Sequence, residues 1–148
     1  MATEQNYSNH TRWYPLFHFV VVPLLVLNLL DHLVRIFTAV EWNARLEQMM
    51  WTIFSITLIL LALAARLMVL TVQDRVIRLE EKLRYAGLLS PELAGRSDSL
   101  TKGQTIALRF ASDDELEDLV GRVLNNEFAT SKDIKLAIKN WRADDLRA

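Results

Sequence analysis

Two long runs of apolar residues occupy the first half of the chain, and shorter amphipathic stretches fill the second half. The first run covers 15–37 and the second covers 49–72. A helix rises 1.5 Å per residue, so either run is long enough to cross the ~30 Å hydrocarbon core of a bilayer. A chain of 148 residues could hardly bury two apolar helices of this length within itself. Each run therefore predicts a membrane-spanning helix.

The first run is not expected to be a cleaved signal peptide. No basic segment directly precedes it, and no small-residue cleavage site follows it. It leads instead into Asp31, His32 and Arg35. We therefore expect this segment to remain in the mature protein.

The distribution of basic residues predicts the orientation of the two spans. The connecting loop 38–48 contains a single basic residue, Arg45, whereas a basic cluster (Arg75, Arg78, Lys82, Arg84) follows the second run. Cytoplasmic segments next to spans carry the excess of Lys and Arg, so the loop is predicted outside and both termini in the cytoplasm. The predicted segments are a cytoplasmic tail 1–14, spans 15–37 and 49–72, an external loop 38–48, a cytoplasmic stalk 73–89 and a small cytoplasmic helical domain 90–148.

Nothing in the sequence interrupts the helix where the second run ends. Apolar residues continue at a spacing typical of a coiled-coil seam: Val72, Val76, Leu79 and Leu83. This association seam predicts either contact with another copy or packing against the chain's own C-terminal helices, and two heptads are too few to separate these alternatives. Pairs at i,i+4, Asp74 with Arg78 and Glu80 with Arg84, are expected to support the helix.

The region 90–148 shows repeated signals for helix starts and none for strands. Ser90-Pro91 suits an N-cap followed by the first helical position. Three capping patterns follow: Thr101 with Gln104, Ser112 with Glu115 and Thr130 with Asp133. The predicted fold is all-α, with short helices extending to about Arg142. A core this small is expected to lean on the stalk or on a partner.

The first span carries polar residues on one face. Asn28, Asp31, His32 and Arg35 lie at i, i+3, i+4 and i+7, and His18 falls near the same face. Ionisable groups within a span are costly and usually face protein or water. One interpretation is an Asp31–Arg35 ion pair at the outer boundary. The alternatives are a proton or ion relay, or ligation of a haem or chlorophyll-type pigment by His18 or His32.

Composition excludes several classes of function. The chain has no cysteine, so disulfides, thiolate metal sites and thiol catalysis are excluded. A net charge of −1 gives no reason to expect a nucleic-acid partner. No phosphate-binding loop, nucleophile elbow or metalloprotease motif occurs, so we predict that the protein is not an enzyme and holds no metal or cofactor other than the pigment considered above.

Several segments together resemble a known family. They are Asn9–Arg12 (NHTR), Pro15–His18 (PLFH), Val72–Arg84 (VQDRVIRLEEKLR), Ala107–Asp113 (ALRFASD) and Ile134–Arg142 (IKLAIKNWR). They are similar to an uncharacterised bacterial family of small two-span membrane proteins that carries a domain of unknown function. The resemblance implies a location in the bacterial inner membrane and implies no activity.

The same resemblance directs attention to the cytoplasmic ends of the spans. The motif residues Arg12, Gln73, Asp74, Arg75 and Arg78 would form a polar network there, or bind anionic lipid headgroups. The expected function is that of a non-enzymatic accessory subunit of a membrane complex or a self-associating scaffold. Its expected partners are membrane lipid and other membrane subunits or a second copy of itself. The rival expectation is a small conduit or pigment-binding subunit.

Overall fold

The computed structural model describes residues 5–10 and 13–144, and in this part of the chain the fold is all-helical, as predicted. Its α-helices are α1 (Val22–Thr38), α2 (Trp42–Leu88), α3 (Pro91–Arg96), α4 (Lys102–Leu108), α5 (Asp113–Leu124) and α6 (Ser131–Ala137). The chain divides into two compact units. The hairpin unit is Trp13–Leu70, and the helical unit combines Met1–Arg12 with Thr71–Ala148.

The hairpin unit begins with a π-helical segment, Leu16–Val21, that leads into α1. Pro23 lacks an N–H and its ring crowds the carbonyl four residues earlier, which accounts for the wider turn at this point. The connection after α1 is shorter than the predicted loop 38–48, because α2 already begins at Trp42. Arg45 closes this connection by donating from Nη2 to the carbonyl of Ala39 at 3.0 Å.

The second helix is continuous over 47 residues, so the predicted extension beyond the apolar run is confirmed. No proline or glycine interrupts it before Gly87. It ends just before Pro91, whose ring disfavours helical backbone at the preceding residue. Ser90 accordingly adopts an extended ψ of 149° and starts α3.

The core of the helical unit is formed where α4, α5 and α6 meet the end of α2. Its members are Tyr85, Leu89, Leu100, Ala107, Leu108, Phe110, Ala111, Leu116, Leu119, Val120, Val123, Ile134 and Ile138. The predicted capping boxes of Thr101 with Gln104 and of Thr130 with Asp133 are both present. Ser112 does begin α5, but its side chain makes no cap hydrogen bond.

The last helix ends at Ala137, so the prediction of helix to about Arg142 was wrong. The following residues pair instead with the segment before α5 through an isolated antiparallel bridge between Ala111 and Trp141. The Arg142 amide donates to the Phe110 carbonyl at 2.7 Å. Tertiary partners for these backbone groups replace the helical hydrogen bonds that the apolar spacing predicts.

Within the helical unit, α2 packs on the C-terminal helices through a face that the sequence pattern did not indicate. Ile77, Glu81, Tyr85 and Leu89 are buried at intervals of four. The predicted association seam lies outside this face, and all of its residues are exposed: Val72, Val76, Leu79 and Leu83. Packing against the chain's own helices therefore occurs, but not through the seam.

Candidate functional site

The polar face predicted on the first span meets α2 within the hairpin unit at two points. Ser55 donates from its hydroxyl to Oδ1 of Asn28 at 2.7 Å. The ring Nδ1 of His32 lies 2.8 Å from Oε1 of Gln48, so this nitrogen is the donor. The His32 ring also stacks on Trp51, with the ring centroids 6.0 Å apart. These contacts join the two helices of the hairpin by polar bonds between apolar surfaces.

The remaining polar residues of this face do not join that cluster. Asp31 accepts from Nε of Arg35 at 2.7 Å, and both side chains are more than half exposed. The Nδ1 atom of His18 bonds locally to the carbonyl of Tyr14 at 2.9 Å. The predicted face thus divides into an interhelical cluster, an exposed ion pair and a separate histidine.

An open, largely apolar groove runs beside the interhelical cluster, and Asn28, Asp31 and His32 contribute its polar groups. The Nε2 atom of His32 lies 3.5 Å from Nδ2 of Asn28, so both ring nitrogens already have neighbours. Ligation of a pigment by His32 would require one of these contacts to open. Among the described residues, no group of three His, Cys, Asp or Glu side chains is placed to hold a metal ion.

The helical unit contains a charged network around a buried carboxylate. Glu81 is 4 % exposed. It lies 3.2 Å from Nη1 of Arg84 and 3.4 Å from Nη1 of Arg142. Burial raises the pKa of Glu81 above its ordinary value, although Arg84, Arg142 and Arg109 oppose that shift. Arg84 extends the network to α5 by donating to Asp113.

A second polar feature of the helical unit is an open cavity of about 260 Å³ beside α2. Arg75, Arg78 and Lys82 contribute three cationic side chains to its wall, against one carboxylate from Asp98. Lys82 and Asp98 form an exposed ion pair at 2.9 Å. The described structure shows no ion pair to Arg75 or Arg78. We call this the basic cavity.

The polar network predicted from the motif residues forms only in part. Arg12 lies outside the described residues. Asp74 bonds to Lys102 of α4 at 2.7 Å. The i,i+4 spacing predicts a pair between Asp74 and Arg78, and the described structure shows no such pair. Gln73 is half-buried, and its Oε1 has no hydrogen-bond partner in the described part of the chain.

The sequence interpretation missed the packing of the N-terminal segment. His10 lies 5.8 Å between ring centroids from both Phe110 and Trp141. Its Nδ1 donates to the Tyr7 carbonyl at 2.6 Å, and its Nε2 lies 3.1 Å from Nζ of Lys135. The polar sequence of this tail carries no periodicity that predicts the contact. One signal in the sequence did point to it: NHTR, ALRFASD and IKLAIKNWR are all among the motifs by which the chain resembles the family.

The described architecture defines an all-helical protein with two exposed apolar helices and a separate packed helical unit. The chain belongs to a family of unknown function, DUF6526, whose model matches residues 1–148. Comparisons with curated proteins and with solved structures find no significant match. The family therefore supplies no functional residues, and any functional conclusion depends on the geometry of this chain.

Proposed function

We propose that this protein is a non-enzymatic subunit of the bacterial inner membrane, held there by Leu16–Thr38 and by the apolar part of α2. The observation that carries the proposal is the exposure of these helices. In the most apolar stretch of the first helix 0 % is buried, and in that of the second only 6 % is buried. Core helices of soluble proteins bury such stretches, whereas lipid solvates them at no cost.

The packing of the chain ends supports a topology with both ends on one side. The Asp144 amide donates to Oε1 of Gln5 at 2.8 Å, and His10 packs on Trp141. Segments in direct contact must lie on the same side of a bilayer. That requirement fits two crossings, and the basic cluster 75–84 favours the cytoplasm as the shared side.

The exposed seam supports association as the role of this subunit. Leu79 and Leu83 are 61 % and 68 % exposed, although they lie on the same helix as the apolar run. A second copy of the chain covers this seam in our proposal, since exposed coiled-coil spacing is best buried by a like helix. The chain then acts as a self-associating scaffold, or as an accessory subunit where a foreign membrane protein takes the place of the copy.

A small conduit or pigment-binding subunit is the second candidate, and the groove beside Asn28, Asp31 and His32 is the observation that favours it. The bonds of Asn28 to Ser55 and of His32 to Gln48 favour a packing role instead. Changing Asp31 to Asn and His32 to Gln separates the two. Loss of ion flux or of bound pigment with assembly intact supports the conduit or pigment subunit, whereas unchanged flux and pigment content leave the scaffold.

Reporter fusions in the native membrane test the membrane proposal. A reporter active only outside the cell and one active only in the cytoplasm are each fused at Trp42 and at Ala148. We expect the external reporter to work only at Trp42 and the cytoplasmic reporter only at Ala148. Extraction with alkaline carbonate is the companion measurement, and release of the full chain into the soluble fraction would overturn membrane insertion.

A further inference from the structure

The geometry points to the basic cavity as a binding site for a phosphate group, with the headgroup of an anionic phospholipid as its source. Arg75, Arg78 and Lys82 lie at i, i+3 and i+7 on α2, so they form one stripe along the helix. This stripe lies between the buried face of α2 and the exposed seam. It opens toward the turn at Ser97 and Asp98 and toward Thr105 of α4.

The charge balance of the basic cavity favours an anion. Three cations meet a single carboxylate, and Asp98 neutralises only Lys82. Two guanidinium groups are left with no ion pair in the described chain. A guanidinium presents planar, forked donors that match phosphate oxygens.

The hydroxyl of Tyr85 is an independent indication of a ligand. Tyr85 lines the same cavity and is 3 % exposed, yet its hydroxyl has no hydrogen-bond partner among the described residues. A buried hydroxyl without a protein partner is costly, so such a group is usually satisfied by an ordered water, an ion or a bound molecule. Burial raises the pKa of Tyr85, which keeps the hydroxyl protonated as a donor. The hydroxyls of Ser97 and Thr105 already donate to backbone carbonyls and add no free donor.

Size and position select the kind of ligand. A cavity of about 260 Å³ falls just below the ~300–1,000 Å³ of pockets for drug-sized ligands, and suits a headgroup. The stripe begins three residues after Val72, the end of the apolar run. Basic residues at this position attract anionic lipid. The choice of lipid as the source rests on the proposed membrane function, whereas recognition of phosphate does not.

The test measures ligand binding to the full chain purified in neutral detergent, by native mass spectrometry. The probes are phosphatidylglycerol, phosphatidylcholine and inorganic phosphate. The variant R75Q/R78Q removes the two unpaired cations, and K132Q/K139Q is the matched control because it removes the same charge at exposed positions outside the cavity. Circular dichroism checks that each variant keeps its helical content.

We expect R75Q/R78Q to bind phosphatidylglycerol about thirtyfold more weakly, from the contribution of two basic residues near a lipid surface. The control is expected to bind like the wild type. Y85F, which removes only the hydroxyl, is expected to bind about tenfold more weakly. If inorganic phosphate binds and phosphatidylglycerol does not, with the same dependence on Arg75 and Arg78, the result supports a phosphate site with a soluble source. If phosphatidylglycerol binds and inorganic phosphate does not, the result supports the lipid headgroup.

Equal binding by wild type and R75Q/R78Q would overturn the site, as would an equal loss in K132Q/K139Q, since that loss would reflect net charge. Equal binding of phosphatidylcholine and phosphatidylglycerol by the wild type would overturn the preference for anionic lipid. An affinity of Y85F for phosphatidylglycerol equal to that of the wild type would overturn donation by the Tyr85 hydroxyl. Carbonate extraction measures membrane insertion independently of ligand binding. Failure of the phosphate site and failure of membrane insertion are therefore distinguished.

Discussion

The Nη2 atom of Arg84 lies 2.6 Å from Oδ1 of Asp113, which joins α2 to the first turn of α5. The same nitrogen donates to the carbonyl of Ala111 at 2.7 Å, and Nη1 of Arg84 lies 3.2 Å from the buried Glu81. Three partners around one guanidinium fix the position of α2 in the helical unit. The Arg84 and Glu81 side chains are only 10 % and 5 % exposed, so their contact is shielded from water, whereas Asp113 is 62 % exposed.

Replacing Arg84 by Met is expected to destabilise the helical unit by about 3–5 kcal/mol, because Glu81 then keeps a buried charge without its nearest partner. Hydrogen exchange of the α4 and α5 amides in the full chain measures the change. R96M is the matched control, since the single ion pair of Arg96 within the described part of the chain is with the exposed Glu92, at 3.9 Å. Equal protection in R84M and R96M would contradict this role.

The stability of the helical unit is expected to depend on pH through Glu81. Its folded-state pKa is raised above the ordinary value of 4.5, so the folded chain holds this proton more tightly than the unfolded chain does. Such a group is most favourable below the unfolded-state pKa, and that contribution is lost as pH rises through the folded-state pKa. We expect E81Q, which does not titrate, to gain stability relative to the wild type as pH rises above 4.5.

Thermal denaturation followed by circular dichroism at several pH values measures this difference. E80Q is the matched control, because Glu80 is the exposed neighbour on the same helix. The difference between wild type and E80Q is expected to stay flat over the same range. If the wild type instead becomes more stable relative to E81Q as pH rises, the arginines lower the pKa of Glu81 by more than burial raises it.

Glu115 is expected to hold the C-terminal segment in place. Its two carboxylate oxygens accept from the backbone amides of Lys139 at 3.1 Å and Asn140 at 3.0 Å. E115A leaves these amides without their acceptor and is expected to cost about 1–3 kcal/mol. Faster hydrogen exchange at 110–112 and 138–142 is the readout. D114A alters an exposed acid in the same helical turn and is expected to change neither segment.

Self-association through the seam is tested with L79E/L83E. We expect cross-linked dimers of the full chain in nanodiscs, and their loss in the variant, because two buried carboxylates would face a like helix. L88E/L136E introduces the same charge at apolar positions that are exposed outside the seam, 43 % and 56 % respectively, and is expected to leave the dimers intact. A wild type that is already monomeric would overturn self-association through the seam.

The sequence predicted those features that depend on neighbours along the chain. The apolar runs, the unbroken α2 and two of the capping patterns all follow from local spacing or helix propensity. The ion pairs show where local rules stop. Asp74 bonds to Lys102, and Arg84 bonds to Asp113, 29 residues away, instead of Glu80. In both cases tertiary packing supplies a partner in place of the predicted residue at i,i+4.

The buried face of α2 was missed for a related reason. Glu81 lies at its centre, and a charged residue in the middle of an apolar stripe conceals the stripe from a hydrophobic pattern. Its burial depends on arginines from elsewhere in the sequence, such as Arg142. Only the basic residues of the basic cavity could be predicted from the sequence. Arg75 and Arg78 stand in a motif beside the apolar run, but the approach of Tyr85, Ser97 and Thr105 depends on the fold.

The contact of His10 with Trp141 has a consequence for how the chain is made. These residues are separated by 131 positions, so His10 emerges from the ribosome well before Trp141 has been added to the chain. At ~5–20 residues per second, that interval is roughly 7 to 26 seconds. During that time the segment before the first apolar helix has no docking surface, and the helical unit lacks its last layer. The contacts of His10 with Trp141 and Phe110 therefore form only after nearly the whole chain has been synthesised.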